Sequence, residues 1–174
     1  MIRDSKLFSY LEEHYKKVLK LDSSALEYVV SRSAAIKAGI VAMDELDRKR
    51  VRAVLNYGHT IGHAIEAAAG YSDRYAHGEA VALGMLAAGR IAAGLGLFKG
   101  PDERRIRSLI IKVGLPVRIK GLAITKIYAA HLHDKKFTYG KNRFILPAKI
   151  GAVRIVDDVP TAAVHSALKS CANN

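Results

Sequence analysis

Apolar residues recur every three to four positions along most of the chain, which is the spacing of amphipathic helices. Asp4 or Ser5 can cap a first helix that runs to about Lys20, and Asp22-Ser23-Ser24 can cap a second helix that runs to about Met43. The apolar face of the second helix comprises Leu26, Val29, Val30, Ile36, Ile40 and Val41. The opening of the chain is therefore predicted to be helical.

The same periodicity predicts further helices downstream. They cover approximately 51–69, 77–97, 101–113 and 125–132, with a last helix starting at Pro160-Thr161. Two short segments, Arg143–Leu146 and Val153–Val156, alternate or are β-branched on either side of Gly151, as is typical of a hairpin. The predicted fold is mainly α: a multi-helical domain with a small β-hairpin near the C-terminus.

Length and composition fit one globular domain. The chain has 174 residues, about one domain's length, so we predict a single domain over residues 1–174. Glu79 and Arg90 interrupt the long apolar helix over 77–97, which argues against a membrane span. A single cysteine, Cys171, excludes an internal disulfide, and Met1–Lys20 is too charged for a signal peptide. The cytoplasm is therefore the expected location.

The net charge of +12 is the largest departure from average composition. A positive charge of this size would favour binding to nucleic acid, to an anionic membrane or to a phosphorylated small substrate. Nucleic-acid binders usually gather basic residues on one face, often with stacking aromatics, whereas Lys and Arg occur here in every segment and Trp is absent. We therefore expect neither nucleic acid nor a membrane as a partner.

The third predicted helix, over residues 51–69, contains two histidines whose spacing suits metal ligands. His59 and His63 are one helical turn apart, so their imidazoles point the same way, which is a spacing of metal ligands. A zinc protease of the HExxH type would need glutamate where this chain has Thr60, so that class is not expected. Gly58 and Gly62 share the same spacing, and glycine inside a helix costs about 1 kcal/mol relative to alanine. Another segment is therefore predicted to lie close against this backbone.

A third histidine, His77, begins the next predicted helix. An ordinary polar helix face would explain His59 and His63 alone, but transition-metal sites commonly collect imidazoles from neighbouring elements. A catalytic zinc usually has three protein ligands. A further ligand would have to be His63, Glu66, Glu79 or a residue outside this chain.

Other polar side chains accompany the histidines. Arg52 and Asn56 are predicted to continue the face of His59 and His63, offering a guanidinium to a carboxylate or phosphate and an amide to a sugar hydroxyl. A polar face meeting solvent is the alternative. Lys37 interrupts the apolar face of the second helix, and from the pattern alone it is a solvated side chain.

A second cluster lies near position 133. It contains His131, His133 and Asp134-Lys135-Lys136. The cluster is compatible with a second metal site and equally with a basic loop.

The segments Arg52–Ala67 and His77–Met85 together resemble the signature of 3-dehydroquinate synthase, a sugar phosphate cyclase. Further short segments on both sides of this signature also resemble the family and occur in the family's order. They are Ile36–Ala38, Asp44–Glu45, Val113–Pro116, Asp134–Lys136, Phe144–Pro147 and Ile150–Gly151. The resemblance therefore covers nearly the whole chain.

The resemblance implies roles for individual residues. His59 and His77 would ligate Zn²⁺ or Co²⁺, and His63 beside them would handle phosphate or a proton. The implied substrate-binding residues are Lys37, Arg52, Asn56, His63 and one of Lys135 and Lys136, of which His63, Lys37 and Arg52 would be catalytic. The loop Asp44–Arg50 is one residue longer than the family pattern and has Asp47 where glutamate is usual, so no acid–base role is assigned to it.

The resemblance also implies what lies elsewhere. The family's NAD-binding domain and its third metal ligand, a glutamate, precede the segment that Met1–Asp4 resembles. NAD-binding residues are therefore expected to be absent from this chain, and the chain alone is expected to be inactive. The family's enzyme, expected to be a homodimer, is a phosphate-eliminating lyase of aromatic amino-acid biosynthesis. It converts 3-deoxy-D-arabino-heptulosonate 7-phosphate to 3-dehydroquinate and phosphate.

Three other functions fit parts of the pattern. A sibling cyclase that makes an inosose or a valiolone would share the histidines. A relative of iron-dependent alcohol or glycerol dehydrogenases would share the two-domain plan. A non-enzymatic basic helical binding domain would explain only the charge.

Overall fold

The computed structural model describes residues 2–46, 48, 50–133 and 142–173. Its α-helices are α1 (Ser5–Leu19), α2 (Ser23–Met43), α3 (His59–Ala68), α4 (His77–Gly94), α5 (Gly100–Lys112), α6 (Ile124–His133) and α7 (Thr161–Asn173). A 3₁₀ helix covers Val51–Asn56, and the strands β1 (Phe144–Lys149) and β2 (Ala152–Val156) pair in an antiparallel hairpin. The prediction of a mainly α fold with a small hairpin near the C-terminus is confirmed.

Local capping chemistry sets the starts of the first two helices. The Asp4 side chain accepts a hydrogen bond from the Leu7 N–H at 2.9 Å, and Asp22 accepts one from the Ala25 N–H at 2.9 Å. Each bond satisfies a backbone donor that the first helical turn cannot pair internally. The sequence predicted a cap at Asp4 or Ser5 and another at Asp22-Ser23-Ser24, and the structure shows that Asp4 and Asp22 are the capping residues.

Asp4 also accepts a hydrogen bond from Arg32 of α2, so one carboxylate caps α1 and holds the next helix. The Leu7 hydrogen bond, with a smaller effect from Arg32, lowers the pKa of Asp4 from its usual 3.8. Because the folded pKa is depressed, the carboxylate stabilises the fold above the unfolded pKa, and this stability is lost as pH falls through the folded pKa.

We expect Asp4→Ala to lower the free energy of unfolding at pH 7 by about 1–2 kcal/mol, because both the cap and the helix–helix contact are lost. Asp4→Asn keeps an acceptor for the cap and should lose less. Urea unfolding of both variants between pH 7 and pH 3 measures this. A deficit of Asp4→Ala that stays constant down to pH 3 would contradict the assignment.

α4 lies at the centre of the packing, where α3, α5, α7 and β1 contact it. Its buried residues are small or aliphatic: Ala80, Ala82, Leu83, Gly84, Leu86, Ala87, Ala88, Gly89, Ile91 and Ala92. A Cβ at Gly62 would lie 3.2 Å from the Ala80 carbonyl oxygen, so α3 and α4 approach backbone to backbone. The close neighbour predicted from the glycines of this region is therefore confirmed, and it is α4.

The prediction of one continuous helix over residues 51–69 is wrong. The 3₁₀ helix ends at Asn56, the backbone turns at Gly58, and α3 starts at His59. Gly58 has a φ of +85°, and a Cβ there would lie 2.7 Å from the Val81 carbonyl oxygen of α4. The close approach of α4 explains the break. Arg52 therefore does not lie on the helix that carries His59.

The apolar face predicted for α2 is largely outside the core. Of its six members only Ile40 is buried, and Val30 is 63% exposed. The helix packs mainly against α1 and the 3₁₀ helix, which leave the other four residues of this face only partly buried. Periodicity indicated a helix correctly, but it did not indicate which neighbour would bury it.

The described helices include none that is both long enough and apolar enough to span a bilayer.

Candidate metal and substrate site

Three imidazoles converge where α3 meets the start of α4. The ring centroids of His59 and His63 are 5.4 Å apart, those of His59 and His77 are 5.5 Å apart, and those of His63 and His77 are 6.0 Å apart. The first two project from successive turns of α3, and the packing of α4 against α3 brings in the third. The structure therefore unites the three histidines that the sequence singled out.

A carboxylate joins this group. The Nδ1 atom of His77 lies 3.0 Å from Oε1 of Glu66, which is three residues after His63 on α3. The other carboxylate considered from the sequence, Glu79, caps its own helix, since its Oε2 accepts a hydrogen bond from the Ala76 N–H at 2.9 Å. Of the two glutamates, Glu66 is thus the one that faces the histidines.

The start of α3 is fixed by a buried tyrosine. Tyr57 is 2% exposed, and its hydroxyl donates to the Met85 carbonyl oxygen of α4 at 3.3 Å. Burial, with a smaller effect from Glu103, raises the pKa of Tyr57, so the hydroxyl remains a donor at neutral pH. The Tyr57 carbonyl oxygen lies 3.3 Å from Nδ1 of His59, which ties the first imidazole of the cluster to the same anchor.

The donor set fits a divalent transition metal. One ligand atom each from His63, Glu66 and His77 lie within 4.8 Å of one another, and His59 adds a neighbouring imidazole. Imidazole and carboxylate are the ligands that zinc and cobalt take in proteins.

The structure gives His131, one member of the cluster near position 133, a structural role. His131 is 3% exposed, and its Nε2 lies 2.9 Å from Oδ1 of Asn142, whose Nδ2 donates to the Val159 carbonyl oxygen. These contacts join α6 to the segments flanking the hairpin. His131 is therefore a buried structural residue, and Asp134 lies outside the described residues.

The predicted substrate-binding residues lie on other elements. Lys37 is exposed on α2, and Asn56 is exposed at the end of the 3₁₀ helix. Arg52 is half-buried, and its Nη1 donates to the Glu45 carbonyl oxygen at 3.4 Å. Lys135 and Lys136 lie outside the described residues, as does Asp47.

The sequence model of the family described as 3-dehydroquinate synthase C-terminal matches residues 1–137. This chain belongs to that family. The 3-dehydroquinate synthase of Desulforamulus reducens is 44% identical over 169 residues, which are 97% of this chain and 46% of that protein. The 3-dehydroquinate synthase of Caldanaerobacter subterraneus subsp. tengcongensis is 46% identical over 156 residues, covering 90% of this chain and 43% of the relative. This member of the family thus spans about half the length of the curated relatives it matches.

Solved structures share its fold. The 2-epi-5-epi-valiolone synthase of Streptomyces hygroscopicus subsp. jinggangensis, with NAD⁺ and Zn²⁺ bound, superposes with a TM-score of 0.82 at 24% identity, covering 98% of this chain and 47% of that one. A 2-deoxy-scyllo-inosose synthase complexed with carbaglucose-6-phosphate, NAD⁺ and Co²⁺ gives a TM-score of 0.74 at 26% identity, covering 85% of this chain and 42% of that one. The 3-dehydroquinate synthase C-terminal fold is thus shared with other sugar phosphate cyclases.

Proposed function

We propose that this chain, as one domain over residues 1–174, is the C-terminal metal- and substrate-binding part of a 3-dehydroquinate synthase. The proposed reaction converts 3-deoxy-D-arabino-heptulosonate 7-phosphate to 3-dehydroquinate and phosphate, a lyase step of aromatic amino-acid biosynthesis. The observation that carries the proposal is the convergence of His59, His63 and His77, with ring centroids no more than 6.0 Å apart. The sequence identities of 44% and 46% to dehydroquinate synthases favour this reaction among those of the cyclases.

The histidines divide into two roles in this proposal. His59 and His77 hold Zn²⁺ or Co²⁺ together with a carboxylate from polypeptide outside this chain. When bound, the metal supplies a positive charge that stabilises a substrate alkoxide or enolate. His63, whose ring centroid lies 6.0 Å from that of His77, would hold the substrate phosphate or move a proton beside the metal.

The remaining predicted residues orient the substrate. Arg52 offers a planar pair of donors to a phosphate or carboxylate, and Asn56 offers a donor and an acceptor to a hydroxyl. Lys37, exposed on α2, and one of Lys135 and Lys136 provide further positive charge for substrate oxygens. These cations suit a doubly anionic sugar-acid phosphate and agree with the chain's net charge of +12.

NAD is proposed to bind mainly to the other half of the enzyme, where it supplies reversible oxidation of a substrate hydroxyl. The relatives are about twice as long as the matched region, which leaves room for such a half. The uncovered apolar surface of α2, with Val30 63% exposed, is a candidate contact for it. The assembled enzyme is expected to be a cytoplasmic homodimer.

We expect the chain alone to bind zinc weakly and to show no turnover of the heptulosonate phosphate with NAD, because this proposal places the third metal ligand and the nucleotide site outside these 174 residues. Adding the N-terminal half of the Desulforamulus reducens relative should restore phosphate release. In a second set of assays, the reconstituted enzyme is given the substrates of inosose and valiolone synthases.

Turnover by the chain alone would contradict the need for a second half. Restored activity on only one of the other sugar phosphates would instead assign a sibling cyclase, a reaction that the shared fold also permits.

A further inference from the structure

Glu66 and His77 belong to different helices, yet their side chains meet. The Glu66 side chain is 18% exposed and the His77 side chain is 58% exposed, with 3.0 Å between Oε1 and Nδ1. His77 is the first residue of α4, and it is more exposed than His59, His63 and Glu66. The rings of His59 and His63 lie beside it, and Glu66 supplies a polar contact at hydrogen-bond distance that can orient its ring.

The chemistry of this contact fixes the position of a proton. An ionised carboxylate only accepts hydrogen bonds, so the Nδ1 atom that faces Glu66 must carry hydrogen. In a neutral imidazole the other nitrogen, Nε2, then holds the lone pair that can bind a metal. Glu66 thereby selects which atom of His77 is available.

His59 has a parallel arrangement. Its Nδ1 lies 3.3 Å from the Tyr57 carbonyl oxygen, which is also only an acceptor. A hydrogen bond there leaves Nε2 of His59 as its metal-binding atom. Both ligands in the proposed site would then coordinate through the same kind of nitrogen, each oriented by an oxygen behind it.

We propose that Glu66 is a positioning residue for the metal centre: it holds His77 as the Nδ1–H tautomer and aims Nε2 at the cation. Oxygen partners of this kind orient metal-bound histidines in many proteins, and their loss typically weakens metal binding 10- to 100-fold. This inference rests on the proposed metal site. The competing possibility is direct ligation by Glu66, whose oxygen lies within 4.8 Å of donor atoms of His63 and His77.

The first test observes the tautomer without metal. Long-range ¹H–¹⁵N correlation spectra of the zinc-free chain, recorded at about pH 8, distinguish protonation at Nδ1 from that at Nε2. The wild-type chain should show His77 protonated at Nδ1, and Glu66→Ala should shift it towards Nε2. His77 protonated mainly at Nε2 in the wild-type chain would overturn the proposal.

The second test compares zinc affinities by competition with a chromophoric chelator. Glu66→Ala should bind zinc 10- to 100-fold more weakly, whereas Glu66→Gln, whose amide oxygen still accepts, should stay within a few-fold of wild type. Glu27→Ala removes an exposed carboxylate from α2 and serves as the matched control. Equal losses in Glu66→Ala and Glu66→Gln would indicate direct ligation and overturn the positioning role.

The outcomes separate this inference from the proposed function. If His77→Ala loses zinc and Glu66→Ala does not, only the positioning role fails. If neither variant loses zinc, the proposed metal site itself fails. Thermal melting by circular dichroism confirms that each variant is folded before its zinc affinity is compared.

Discussion

Replacing His77 with alanine is expected to weaken zinc binding by the chain at least about 100-fold, more than the loss of an outer hydrogen-bond partner would. The reason is that the proposed site takes only two ligands from this chain, so each substitution removes half of them. His59→Ala should have a comparable effect. Because the His77 side chain is 58% exposed, its removal should leave folding intact.

His14→Ala provides the control for this prediction. His14 lies on α1, where it stacks on Tyr10, and its loss should leave zinc affinity unchanged. Isothermal titration calorimetry of the three variants measures the effect. Tight zinc binding that survives both His59→Ala and His77→Ala would show that the ligand assignment is wrong.

Gly84→Ala is expected to destabilise the fold by about 3 kcal/mol or more, at the upper end of overpacking effects. A Cβ at this position would lie 1.9 Å from the Gly58 carbonyl oxygen and 2.8 Å from the Gly62 backbone nitrogen. Both obstacles are backbone atoms, which no rotamer change can move away. The helices α3 and α4 would have to separate, which would also pull His59 and His63 away from His77.

Gly94→Ala is the matched control on the same helix. A Cβ at Gly94 would meet no atom within 4 Å, so alanine there should be neutral or stabilise the helix by up to about 1 kcal/mol. Urea unfolding gives both values, and zinc titration of Gly84→Ala tests the coupling to the site. Wild-type stability in Gly84→Ala would mean that α3 and α4 do not approach this closely.

The features that the sequence predicted well depend on local chemistry. Asp4 and Asp22 cap their helices through bonds to backbone amides three residues on, and such patterns are visible in a single sequence. The hairpin was predicted from alternating or β-branched residues on either side of Gly151, which is also a local pattern. In the structure Gly151 has a φ of +89° in the turn. Helix existence and approximate bounds followed from the apolar period.

The features that the sequence missed depend on tertiary contacts. The break at Gly58 follows from the approach of α4, whose backbone is distant in sequence, and the apolar period shows no interruption there. The exposure of Val30 depends on which element covers α2, and no local pattern contains that information.

The site combines both kinds of information. His59 and His63 share a helix face by spacing alone, but His77 joins them only because α4 packs on α3. The contact between Glu66 and His77 required the structure, because the sequence left Glu66 and Glu79 as equal candidates for a further ligand. The substrate-binding role of Lys135 or Lys136 remains a prediction, because both residues lie outside the described part of the chain.

An anomalous difference map, recorded at the zinc absorption edge from crystals of the zinc-loaded chain, would locate the metal ion itself. We expect one peak between His59 and His77, about 2.0–2.1 Å from one nitrogen of each ring. A zinc ion bound elsewhere, or bound without His59 and His77, would contradict the proposed metal centre.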